Sequence, residues 1–303
     1  MSNSQVESVK LGELNCWRVT VGKDELLVTQ QGAQVLSYQR DSETPLIWLN
    51  EHANFITGKA ARAGVPVCWP WFGVFKRNPE PVQAMRTGNR DEAGPHGLVR
   101  AINWRLLGIE DQSEGRVSLS FDVPQAEEGT LPGWPHKVSV TMTIVLDQQL
   151  HISLTSQNLD DHPVSLSQAL HSYFAVSDIH QVSAQGFAGL SYHDTTTPDW
   201  DQLNQSGDIK FERETDRIYL NTPSELSIVD QNWKRRIRLV SSGSNNTIVW
   251  NPWTERAAAL ADMADDGWQR MLCIETANVL DDVVTLAPGE RHTMSVTIDS
   301  EAL

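Results

Sequence analysis

The chain has 303 residues, enough for one large β domain or two ordinary ones. Its formal net charge of -15 and sequence pI near 4.9 argue against nucleic acid or an anionic membrane surface as a partner, because both need a basic footprint. An anionic small molecule would have to be caught by a few local arginines against that field, which gives its capture an unusual salt dependence.

From the N-terminus, residues 1–10 lack a basic start followed by an apolar stretch and a small-residue cleavage site, so no secretory signal is read there. No apolar run reaches the length of a membrane span. Cys16, Cys68 and Cys273 have no close pair spacing, which fits reduced thiols and a cytoplasmic protein, and leaves the sequons at Asn204 and Asn245 without meaning. Residues 61–73 then set Arg62 ahead of Trp69, Trp71 and Phe72. Each aromatic taken singly is most simply a core residue, although together their faces suit a sugar ring. Arg62 is either a ligand for a charge or half of a structural ion pair.

Residues 78–95, rich in Pro, Gly and Arg, read as a long surface loop, and 122–135 reads the same way. Between them, His96 and Arg100 fall at even spacing in a short strand, so alternation would point them together; a capped loop with Arg100 ion-paired is the competing reading. Period-two alternation marks strands at 116–123, 137–146, 150–155, 226–229, 237–240 and 292–298, with a turn at 147–149. Residues 252–263 can form a short helix starting at Pro252. No linker, short repeat or βαβ series interrupts the chain, so it reads as one domain, 1–303.

Two polar residues stand in apolar runs: His171 in Ala-Leu-His-Ser-Tyr-Phe and Glu275 in Cys-Ile-Glu-Thr-Ala-Asn. A lone strand histidine is usually a satisfied core residue, but a glutamate in such a run is costly to bury without a partner or ligand. Together they can serve as acid and base on a polar substrate, and the arginines make an anionic, hydroxyl-rich ligand such as a sugar phosphate the natural one. Asp216 and Asn251 can bind hydroxyls, with turn formation and helix capping as the plainer roles. Metal signatures of the His-x-His and His-Glu-x-x-His kind are missing, as are nucleotide loops and the Gly-x-Ser-x-Gly elbow, so neither metal nor cofactor is expected.

Taken in order, Arg-Ala-Gly-Val-Pro-Val-Cys-Trp-Pro-Trp-Phe-Gly, Pro-His-Gly-Leu-Val-Arg, Leu-His-Ser-Tyr-Phe, Thr-Asp-Arg-Ile-Tyr, Val-Trp-Asn-Pro-Trp and Glu-Thr-Ala-Asn with the later Leu-Ala-Pro-Gly-Glu resemble the hexose-6-phosphate mutarotases (glucose-6-phosphate 1-epimerases) of the aldose 1-epimerase superfamily. The resemblance covers nearly the whole chain. It implies an all-β fold, a large antiparallel β-sandwich of the galactose mutarotase-like kind with few short helices and the ligand across a concave sheet face. It also implies His171 as general acid, Glu275 as general base, His96 and Asp216 on the sugar, and Arg62 and Arg100 on the phosphate. The implied activity is exchange of the α and β anomers of hexose 6-phosphates, with glucose, galactose and mannose esters not distinguished. Glu275 would take the proton of O1 while a cationic His171 protonates O5, opening the ring. The competing functions are an aldose 1-epimerase acting on free hexoses, a carbohydrate-binding module without catalysis, and, least of all, a glycosidase, which normally needs two carboxylates.

Overall fold

The computed structural model describes residues 4–41, 44–112 and 115–303. Among them the strands form a 13-stranded sheet, an eight-stranded sheet and a two-stranded pair, with all strand pairings antiparallel. The alternation seen in the sequence explains the smaller sheet. Val138–Leu146 buries Val138, Val140, Met142 and Ile144 while Ser and Thr between them face outward, and it pairs with Leu150–Asn158 so that Leu146 meets Leu150 across the turn. On the outer face, hydroxyls bridge neighbouring strands, as between Thr155 and Thr293. The expected strands at 116–123, 226–229, 237–240 and 292–298 appear as Arg116–Asp122, Glu225–Asp230, Arg235–Ser242 and Arg291–Ala302.

The large sheet packs its other face against this one. A continuous buried cluster joins Val19, Leu26 and Val28 of the large sheet to Phe121, Ile144, Leu154 and Val296 of the small one. Trp17 meets Phe121 across the gap with ring centroids 5.4 Å apart. Trp69 and Trp71 are fully buried, Trp69 donating to Ser156 Oγ at 3.2 Å, so for these two the core reading holds. The architecture is thus the expected β-sandwich with few short helices.

Three local expectations need correction. Residues 96–100 are not a strand: His96 has φ 63° and only an isolated parallel bridge ties Gly97 to Trp69. Residues 122–135 include a helix, Pro124–Glu128, opened by a proline in its first turn and closed by Gly129 at φ 70°. The helix expected over 252–263 is cut to Trp253–Ala258. The loop at 78–95 holds no strand but does carry the helical turns Glu80–Gln83 and Arg90–Glu92.

Candidate active site

The outward face of the large sheet is built by register. Strand Met271–Asn278 is buried along its whole length and pairs on one side with Asn246–Asn251, setting Ile248 against Glu275 and Trp250 against Cys273. Thr215–Tyr219 adds Ile218 beside Ile248 and Asp216 beside Trp250. On the other side, Leu170 pairs with Thr276 and Tyr173 with Cys273, so the same register carries His171 opposite Glu275. Successive side chains alternate faces, so two rows lie on one face: Asp216, Trp250, Cys273, Tyr173, and Ile218, Ile248, Glu275, His171. Except for the covered Cys273, all of them line a cavity of about 730 Å³.

The chain breaks its ladder at His171. Ser172 N–H donates back to Leu170 O, and His171 N–H and Tyr173 N–H donate to Pro66 O and Gly64 O of the neighbouring segment. Gly64 is required there: with φ 63°, a Cβ on it would stand 1.9 Å from Val35 O. The imidazole of His171 stacks on Tyr173 at 4.8 Å and 7°, and its Nδ1 lies 3.4 Å from Glu275 Oε1. Yet His171 Nδ1 and Glu275 Oε2 are buried without a hydrogen bond among the described residues. Unpaired buried polar atoms of this kind call for a ligand or a functional reason.

Burial raises the Glu275 carboxyl well above the usual carboxylate range, and Asp216 adds to the effect. Burial also lowers the His171 imidazole well below its ordinary value, reinforced by His96, Arg100 and Arg62. Desolvation therefore works against the mutual attraction of an ionised pair and toward the neutral pair, protonated Glu275 beside neutral His171. The two arrangements differ only in the position of one proton. Burial likewise lifts Asp216 to about 6.

His96 reaches the cavity from its loop, its ring 5.5 Å from that of His171. Burial, then Arg100 and Arg62, push it down to about 3, so it is a neutral ring. Gly73 N–H donates to its Nδ1 at 3.3 Å, which leaves Nε2 carrying the hydrogen and free to donate to a ligand. Arg62 lines the cavity but its Nε is bound to Asp262 Oδ1 at 2.9 Å, with a longer contact to the Tyr173 hydroxyl. Arg100 donates to Pro95 O at 3.0 Å. It makes no ion pair among the described residues, and neither do Arg77 and Arg256, two cavity arginines the sequence reading did not single out. Arg77 precedes the long loop and lies 5.1 Å over the Trp200 ring, and Arg256 sits in the short helix. Asn251 is no ligand: its amide donates to Trp268 O and Met271 O and its oxygen caps Trp253 N–H, the structural role. Phe72, unlike Trp69 and Trp71, does line the cavity.

His171, Cys273 and Glu275 bring one potential metal-ligand atom each to within 4.8 Å of one another. Burial holds the Cys273 thiol well above its ordinary value, so desolvation favours the neutral form of all three groups.

The sequence profile of the aldose 1-epimerase family matches residues 18–299. A Cenchrus ciliaris protein named "Putative glucose-6-phosphate 1-epimerase" is 33% identical over 270 residues, covering 86% of this chain and 76% of that protein. An Escherichia coli K12 protein of the same name is 32% identical over 269 residues, covering 88% and 84%. Among solved structures, a "putative mutarotase" from Salmonella typhimurium superposes with a TM-score of 0.86 at 27% identity, covering 100% of this chain and 97% of that one. A galactose mutarotase-like protein from Clostridium acetobutylicum, 15% identical with TM-score 0.73 and 99% of each chain covered, shares the fold.

Proposed function

The chain belongs to the aldose 1-epimerase family, and within it we propose that the protein interconverts the α and β anomers of hexose 6-phosphates, glucose 6-phosphate foremost. The observation that carries the reading is the opposition of His171 and Glu275 at 3.4 Å, in a cavity where Arg77, Arg100 and Arg256 make no direct ion pair among the described residues. In a chain of net charge -15, guanidinium groups gathered at one cavity without a direct salt bridge call for an anion.

The single proton shared by the pair is the number the reaction needs. Glu275 as the anion takes the proton of O1, and His171 as the cation gives one to the ring oxygen O5. The C1–O5 bond breaks as the aldehyde forms. Rotation about C1–C2 presents the other carbonyl face, and reversed transfers close the opposite anomer, so no net proton is gained or lost. Sugar hydroxyls that donate to Glu275 stabilise its ionised form and move the proton toward His171. His96 Nε2–H and the Asp216 carboxylate hold hydroxyls, and the two charged ends are Arg100 and Arg62. Arg62 gives only its unused N–H groups, because Asp262 already takes one.

That ion pair also favours the runner-up, an aldose 1-epimerase for free hexoses, in which Arg62 is structural. Substitutions separate the parts. His171→Ala and Glu275→Gln are each expected to lower kcat for glucose 6-phosphate by about 10²–10⁴-fold with the fold intact. Arg100→Ala is expected to raise KM for the ester with much less effect on kcat. Near-normal kcat in both catalytic variants contradicts the mechanism, and an unchanged KM in Arg100→Ala contradicts the phosphate assignment.

A further inference from the structure

Away from this cavity, one end of the hairpin of Val138–Leu146 and Leu150–Asn158 collects a second set of donor atoms. The register that pairs Val138 with Asn158, continued outward by two residues, sets His136 across from Asp160. His162 follows on the same turn. His136 Nδ1 lies 3.2 Å from His162 Nε2, and the two nitrogens lie 3.7 and 3.8 Å from Asp160 Oδ2. The remaining nitrogen of each ring is already engaged with an oxygen acceptor, His136 Nε2 with Met85 O at 2.8 Å and His162 Nδ1 with Asp161 Oδ1 at 3.1 Å. Those acceptors demand N–H, so in neutral rings the lone pairs of Nδ1 and Nε2 face each other beside a carboxylate oxygen. An imidazole whose far N–H is held by a carbonyl or carboxylate is the usual setting of a metal-bound histidine.

The spacing agrees with the chemistry. Ligands about 2.0–2.2 Å from a tetrahedral zinc stand roughly 3.3 Å apart, near the three observed separations. The donors are also held in place. Asn158 donates to His162 O at 2.8 Å and accepts from Asp160 N–H at 2.9 Å, while Lys137 N–H donates to Asp160 Oδ2 at 2.8 Å. The side chains of His136 and Asp160 are largely covered and that of His162 is half exposed, leaving the open side to water.

We propose that His136, Asp160 and His162 form a binding site for a divalent cation of the zinc type, with water as the fourth ligand. None of the three lines the cavity of His171 and Glu275. The ion would clip the hairpin end and, through Met85 O on His136, hold the loop at 78–95. The alternative to an ion is a hydrogen bond alone, between His136 Nδ1 and His162 Nε2.

The test uses tag-free, chelator-stripped full-length protein, titrated with Zn²⁺ by calorimetry and with Co²⁺ by visible absorption. One ion per chain is expected, with tetrahedral Co²⁺ bands and no thiolate charge-transfer band, which binding at Cys273 would produce. Trp134 packs edge-on against His136 at 5.0 Å, so its fluorescence should change over the same titration. His162→Ala and His136→Gln are expected to weaken Zn²⁺ binding by roughly tenfold or more, His162→Ala leaving circular dichroism and mutarotation unchanged. Absence of Zn²⁺ binding, equal binding by His162→Ala, or a thiolate band in the Co²⁺ spectrum overturns the proposal.

Discussion

Glu275 stands in a row with Ile218, Ile248 and His171, and a carboxyl in that company costs the fold free energy at neutral pH. Its folded value is raised above the 4.5 of an open chain, so above that pH the unfolded state releases a proton that the folded state keeps. Stability from this residue is therefore lost as pH rises from about 4.5 toward the folded value, at on the order of 1.4 kcal/mol per pH unit. His96 and His171 act from the other side: lowered in the fold, they make stability fall as pH drops below 6.5. Glu275→Gln removes the first trend while filling the same space. The variant is expected to be more stable than the parent at pH 8, with the difference shrinking toward pH 5, as measured by urea unfolding. A pH-independent difference would contradict the burial argument. The sequence made His171 and Glu275 conspicuous as polar residues in apolar runs, but their opposition depends on strand register, which neither run contains. Asp262, the partner of Arg62, was invisible for the same reason.

Among the elements, the segment after the aromatic run is held by contacts that alternation does not register. His96 and Arg100 do converge on the cavity, yet they do so from a loop with positive φ at both His96 and Gly97, fastened by the bridge to Trp69. Gly97 permits this: at φ 75° a Cβ would lie 2.0 Å from Trp69 O. Gly97→Ala is therefore expected to cost about 1–3 kcal/mol of stability and to raise KM by displacing the neighbouring His96. Unfolding and steady-state kinetics on the purified variant read both effects, and parent-like values of both would show that the bridge does not set the loop. The strands of the small sheet were legible because each keeps one wet face, as Val138–Leu146 does. The strand Met271–Asn278 was not, because it is covered on both faces and shows no alternation. Arg256 lay inside the expected helix, and only the fold reveals that this helix borders the cavity.

At the scale of the whole molecule, periodicity predicted hairpins but not their order. The path from Ser4–Leu11 at one edge of the large sheet, through Met271–Asn278, to Asp201–Asn204 at the other joins segments from both ends and the middle of the chain. Long-range order of that kind came from the family resemblance, and the superposition with mutarotase structures agrees with it. We propose that the described residues form one domain, since the buried cluster draws on both sheets. The same scale sets the central question, why a chain of net charge -15 gathers arginines at its main cavity. The most direct measurement is the anomeric exchange rate of glucose 6-phosphate and of free glucose by NMR exchange spectroscopy, with and without protein, in the presence of a chelator. Hexose 6-phosphate mutarotation by this chain predicts strong acceleration of the ester, undiminished by the chelator, and little or none of glucose. Acceleration of glucose alone, or of neither sugar, would contradict it.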